Sequence, residues 1–178
     1  MQCPKCRHTE LKPTKLDDGL PAMGCTHCDG AFVSLLYYRD WIESHELSGT
    51  DATQEAAVQA IDDTKTALSC PKCSKLMTKY SVADSVDNRI DLCSSCDEAW
   101  IDGGEWTLLK SLQLADKLPS VFTEQWQRKV RTEKMAALKL ERLKAIVGED
   151  DAKKALEIKT WLKANAHKAA LIQFLGSD

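Results

Sequence analysis

Phe122, Trp126 and Val130 recur every four residues, and Leu138, Leu140 and Leu143 continue the run as a broader apolar face. That spacing predicts a helix from Ser120, as its cap, to about Val147, with Gly148 as the stop. Ala155, Ile158, Leu162, Ala166, Ala169 and Ile172 then line one side of a second helix. Asp150 or Asp151 would start it and Gly176 would end it. Two helices joined by a short glycine-containing turn read as an antiparallel hairpin. Its apolar stripes must be covered by the rest of the chain, a second copy or a partner.

The first two thirds of the chain follow another rule, a repeat with an offset of 68. Cys25, Cys28, Asp29, Ala31 and Phe32 fall on Cys93, Cys96, Asp97, Ala99 and Trp100. Val33 falls on Ile101 and Ser34 on Asp102. Each unit reads as turn, strands, turn, short strand and capped helix. Ser34 and Asp102 are N-cap candidates, and Glu105 three positions after Asp102 completes the pattern of a capping box. The first helix is expected from about Leu35 to Leu47, stopped by Gly49, and the second from about Gly103 to Leu118, with Pro119 beyond. Residues 48–69 read as a polar spacer in which 54–61 could form a short helix.

The eight cysteines turn this organisation into chemistry. They form four C-x-x-C pairs, Cys3/Cys6, Cys25/Cys28, Cys70/Cys73 and Cys93/Cys96, with eighteen residues between the first two pairs and nineteen between the last two. Zinc takes a tetrahedron of soft donors, and one tight turn can present two sulfurs to one ion. Pro4 and Pro71 preset the first turn of each unit. Because the halves look alike, each is expected to close its own site: Cys3, Cys6, Cys25 and Cys28 on one Zn2+, Cys70, Cys73, Cys93 and Cys96 on another. Iron also fits paired C-x-x-C turns. Ribbons of this size cannot bury a sufficient core alone, so the metal contributes folding free energy, about 10–16 kcal/mol in small zinc modules. Phe32 and Trp100 read as core residues beside the second knuckles. His8 and His27 lie near the thiolates as outer partners or solvent-facing groups; His45 and His167 carry no assigned chemistry.

The units resemble the bacterial zinc-ribbon family named after the zinc finger of transcription factor IIB. The second unit carries its pattern as Cys93-Ser94-Ser95-Cys96-Asp97-Glu98-Ala99-Trp100-Ile101-Asp102-Gly103-Gly104-Glu105. The first carries Cys25-Thr26-His27-Cys28-Asp29-Gly30-Ala31-Phe32-Val33-Ser34 and then diverges. Ser34 stands where the family has Asp, and Glu98 where it has Gly. The resemblance covers residues 1–47 and 70–118. It implies metal and fold, and leans toward a role in transcription. The expected fold is a small metal-bound α+β protein: ribbon 1 with its helix at 1–47, a linker at 48–69, ribbon 2 with its helix at 70–118, and a helical hairpin at 119–178.

Charge separates these parts. Residues 1–118 carry twelve basic and nineteen acidic side chains, whereas residues 119–178 carry twelve basic and eight acidic. Each zinc with four thiolates adds a further formal −2 to the ribbon half. An acidic body is a poor grip for phosphates. The basic side chains instead gather on the first C-terminal helix, at Arg128, Lys129, Arg131, Lys134, Lys139, Arg142 and Lys144, opposed by Glu133 and Glu141. They are the candidate nucleic-acid contacts; a solvated helical face is the plainer reading of the same residues. No apolar run reaches the ~18 residues of a membrane span. Cysteines occupy the position of a signal peptide's apolar stretch, so a cytoplasmic location is expected. The chain shows no phosphate-binding glycine loop, nucleophile elbow or open metal site. The expectation is a non-enzymatic zinc adaptor acting through a protein partner, with nucleic-acid binding by the basic helix and a zinc-thiolate redox switch as alternatives.

Overall fold

The computed structural model describes residues 1–16, 19–44 and 63–177. The helix expected at 54–61, the stop at Gly49 and His45 lie outside these residues. The chain divides into two compact units, 1–131 and 132–178.

In the first unit, six short strands form one antiparallel sheet. They are β1 (Lys12–Lys15), β2 (Pro21–Gly24), β3 (Ala31–Ser34), β4 (Thr78–Ser81), β5 (Arg89–Cys93) and β6 (Glu98–Ile101), in the spatial order β1-β2-β3-β6-β5-β4. Each ribbon contributes three strands, and the two ribbons join through β3 and β6. The register there pairs Ala31 with Ile101, Phe32 with Trp100, Val33 with Ala99 and Ser34 with Glu98. Under the 68-residue repeat, Phe32 and Trp100 are the same position. The pairing therefore has a pseudo-two-fold axis through that pair, and each ribbon satisfies the edge of the other.

Strand alternation assigns the two faces. Ala31, Val33, Ala99 and Ile101 turn to one side, in a core with Leu20, Ile90, Tyr38, Trp41, Trp106 and Leu109. The last four come from α1 (Leu35–Ser44) and α2 (Glu105–Ser111). Phe32 and Trp100 turn to the other side, into a second core with Leu11, Leu68, Met77 and the cysteines of both ribbons. Both rings are core residues, as the sequence suggests: Phe32 is 2% and Trp100 0% exposed. Gly30 is required by this packing, since a Cβ there would lie 2.2 Å from the Trp100 ring.

Two helix starts differ from expectation. α2 begins at Glu105 behind a left-handed Gly104, and no side chain caps it. Glu105 does reach back to accept from the Asp102 amide at 2.9 Å, which is half of a capping box. The other half is missing because the Asp102 carboxylate is engaged elsewhere. Past α2 the chain turns and forms a short α3 (Leu118–Val121), with Pro119 in its first turn rather than beyond a long helix. The Tyr38 hydroxyl donates to the Ala115 carbonyl at 2.8 Å and accepts from the Leu118 amide at 3.2 Å, tying this turn to α1. Ser120 thus lies inside α3 and caps nothing downstream. α4 (Glu124–Val147) starts separately, its Trp126 amide held by Thr123 Oγ1 at 3.2 Å. Gln127 closes the outer edge of β4: its side-chain amide accepts from the Ser81 amide and donates to the Ser81 carbonyl, as a neighbouring strand would.

The second unit is helical. α4 ends at Val147, and Gly148, with φ 85°, passes directly into α5 (Glu149–Ala164), whose first turn holds Glu149, Asp150 and Asp151. The single helix expected to run on to Gly176 is broken. Asn165 Oδ1 accepts from the His167 amide at 2.8 Å, and a separate α6 follows (Lys168–Leu175). Among the described residues no helix is long and apolar enough to cross a membrane.

Candidate metal centres

The metal centres are built from four similar knuckles. In each, the residue after the second cysteine adopts a left-handed conformation: Arg7 at φ 64°, Asp29 at 54°, Ser74 at 62° and Asp97 at 55°. In three of them that residue's amide closes the turn onto the first cysteine's carbonyl: Arg7 to Cys3 at 2.8 Å, Asp29 to Cys25 at 3.0 Å and Ser74 to Cys70 at 2.8 Å. Backbone amides also point at sulfur, with Cys6 N 3.3 Å from Cys3 Sγ and Lys72 N 3.4 Å from Cys70 Sγ. Such donors favour the thiolate over the thiol.

The structure brings together the quartets expected from the sequence. Within Cys3, Cys6, Cys25 and Cys28, and within Cys70, Cys73, Cys93 and Cys96, all four sulfurs lie within 4.8 Å of one another. None of these cysteines is in a disulfide. A zinc–sulfur bond of about 2.3 Å requires tetrahedron edges of about 3.8 Å. The Cys3–Cys28 edge is 3.7 Å, Cys6–Cys25 is 3.9 Å and Cys73–Cys93 is 3.5 Å. The donor sets fit zinc, and the eight cysteines hold two zinc ions as closed four-thiolate sites.

Without metal, Cys25 and Cys73 are drawn below the usual thiol range. Burial works against ionisation of Cys25, but the amides of His27 and Cys28 outweigh it and bring the group to about 7. The Lys75 amide and the Cys96 thiol bring Cys73 to about 7. Burial pushes Cys3 up to about 11, while sharing a proton with Cys73 pushes Cys96 to about 12. Zinc must displace the remaining protons, so its affinity falls as pH falls.

Both sites face one core, and the ribbons brace each other around it. Lys5, inside the first knuckle, reaches across to Asp102 Oδ1 at 3.2 Å. Asp102 also accepts from Trp100 Nε1 at 2.9 Å and from the Thr64 amide at 2.7 Å. Burial opposes its ionisation, but these donors outweigh it and hold the carboxyl below its usual range. For Lys72, the equivalent of Lys5, the repeat puts Ser34 at the position of Asp102, where no carboxylate is available. Lys72 pairs instead with Glu98 Oε1 at 2.9 Å. Ser34 and Glu98 are directly opposite in the β3–β6 register. The two departures from the family pattern therefore compensate each other, with the carboxylate moved to the facing strand.

The sequence left Asp63 in a polar spacer, with no local pattern to mark it. In the structure it pairs with Arg89 at 3.2 Å and lies 3.9 Å from Lys79, which binds Asp91 at 2.8 Å. Burial pushes Asp91 up to about 6, against the pull of Lys79. Burial also pushes Glu105 up to about 7, beside Asn88 at 3.1 Å. A folded-state value above the usual 4.5 means that ionising Glu105 costs stability. That cost is absent below about pH 4.5 and grows as pH rises toward 7. The stability of Glu105→Gln relative to wild type is expected to rise by about 1–3 kcal/mol between pH 4.5 and pH 8, offset by a pH-independent loss of one of the two acceptors; urea midpoints at several pH values check this, and a pH-independent difference would refute it.

The basic residues lie along α4. Arg128 pairs with Glu124 at 3.1 Å, Lys129 stacks 5.5 Å from the Trp126 ring centroid, and Lys144 pairs with Glu141 at 2.9 Å. Arg131, Lys134, Lys139 and Arg142 are exposed along α4.

Three-stranded units, each with paired knuckles and one closed thiolate quartet, define a double zinc ribbon. Residues 2–44 match the family described as transcription factor zinc-finger, the TFIIB-type zinc ribbon. The second quartet, on the equivalent knuckles, marks a second ribbon of the same design. No curated protein and no solved structure matches the chain.

Proposed function

We propose that the chain is a non-enzymatic adaptor: the zinc-bound double ribbon is its rigid body, and the helices of residues 132–178 receive a protein partner. The carrying observation is unburied apolar surface on those helices. Leu138, Ile158, Trp161, Ile172, Phe174 and Leu175 are exposed, and Ala152 is the one buried residue of α5 and α6. Apolar surface of this extent marks an interaction site. This unit carries nine basic and seven acidic side chains, a mixed balance suited to protein rather than phosphate. Four thiolates on each zinc leave no open position for a substrate or an activated water. The cleft lined by Lys15, Asp29, Asp102 and Trp106, with a volume of 180 Å³, is smaller than the roughly 300 Å³ of a typical ligand site. The family's description as a transcription factor zinc-finger supports a role for the adaptor in transcription or another nucleic-acid machine.

The double variant Trp161→Glu with Ile172→Glu is the test. It is expected to keep two zincs per chain and lose the partner captured by wild type. A partner retained at equal yield would overturn the proposal. The second reading, nucleic-acid binding through Arg128, Arg131, Lys139 and Arg142, requires a DNA or RNA shift by the full chain that weakens steeply with salt. No shift at low salt removes it.

A further inference from the structure

The two zinc sites are alike in ligand type and burial. Cys3, Cys25, Cys70 and Cys93 are buried, while Cys6, Cys28, Cys73 and Cys96 are partly accessible. They differ in one neighbour. His27 Nδ1 lies 3.3 Å from Cys6 Sγ. A zinc-bound thiolate has only lone pairs to offer, so the imidazole must carry its proton on Nδ1 and donate. His8 packs edge-on against this ring, with centroids 5.2 Å apart and planes at 80°, which limits how the imidazole can turn. In the second ribbon the repeat puts Ser95 at the position of His27. Ser95 Oγ accepts from Lys75 Nζ at 3.0 Å, and among the described residues no side-chain nitrogen reaches Cys73, the counterpart of Cys6.

We infer that His27 is a positioning residue that shields the Cys6 thiolate, leaving Cys73 in the second site as the more readily modified of the two equivalent sulfurs. An N–H···S hydrogen bond withdraws charge from sulfur. Cys73 keeps the backbone amide of Lys75 but has no imidazole donor, and a thiolate without that added donor adds more readily to a soft electrophile such as an activated alkene. In that step the sulfur lone pair forms a C–S bond to the β-carbon. The alkene electron pair moves to the α-carbon, which takes a proton from water, and zinc loses one donor. The second ribbon is then where electrophiles begin to strip the metal. Outer partners of metal ligands change affinity by about 10–100-fold, and a similar factor is expected here.

The experiment treats the two-zinc full chain with one equivalent of N-ethylmaleimide, followed by peptide mapping. Adduct on Cys73 should exceed adduct on Cys6 by about tenfold. Ser95→His should lower labelling of Cys73, and His27→Ser should raise labelling of Cys6. His27→Gln, which keeps an N–H donor, should restore protection. In cobalt-loaded protein, His27→Ser should shift a thiolate-to-cobalt charge-transfer band to lower energy, which a merely structural role would not do. Equal labelling of Cys6 and Cys73 in wild type overturns the inference. So does a Cys73 preference that neither His27→Ser nor Ser95→His alters, including one in which the charge-transfer band stays in place.

Discussion

Cys70→Ala is expected to lower the zinc content from two ions per chain to one and to abolish cooperative unfolding across both ribbons. The magnitude follows from comparing two free energies. A closed zinc site in a small module supplies about 10–16 kcal/mol of apparent folding free energy. A domain's whole net stability is about 5–15 kcal/mol. The spread of the effect follows from topology. β6 of the second ribbon is hydrogen-bonded to β3 of the first, Trp100 fills the core that both quartets face, and Lys5 of the first knuckle is anchored on Asp102. Loss of the second metal therefore removes support from the first ribbon as well. Elemental analysis and thermal melts followed by circular dichroism read the two effects. A variant with one zinc and an unchanged melting midpoint would show that the ribbons stand independently.

The second large effect falls on the pseudo-axis. Trp100→Ala is expected to cost about 3–5 kcal/mol, the range for deleting a buried aromatic ring. It would open a cavity between the two metal sites and remove the indole N–H from Asp102. Trp100→Phe retains most of the ring volume and removes one of the two donors to Asp102 Oδ1, which keeps Lys5, for about 0.5–1.5 kcal/mol. Chemical denaturation with two zincs confirmed in each variant separates packing from metal loss. A cost below 1 kcal/mol for Trp100→Ala would mean that the axis is not a packed core.

The sequence carried the local chemistry well. C-x-x-C spacing names the ligands because a knuckle is made from adjacent residues, and the offset of 68 assigns them to two sites. It carried tertiary choices poorly. Nothing in Ala31–Ser34 states that its free edge will pair with Glu98–Ile101, although two copies of one unit, each with an open edge, make that solution available. The capping box was half readable. Glu105 reaches the Asp102 amide, but competition for the Asp102 carboxylate from Lys5, Thr64 and Trp100 depends on residues distant in sequence. Helix breaks at Thr123 and Asn165 were masked by continuous apolar periodicity, because a single polar residue can cap a new helix without disturbing the stripe.

The displaced carboxylate limits how this protein can vary. Around the axis, Phe32 and Ser34 face Trp100 and Glu98, and Gly30 leaves room for the larger Trp100 ring, so each half carries its own matched set of ring, small residue and polar group. Exchanging one residue between halves, such as Gly30→Glu, would drive a side chain into the indole, whereas exchanging the sets together preserves every pairing. Single and combined swaps should therefore be strongly non-additive, and the two halves, though built on one plan, are no longer interchangeable piece by piece.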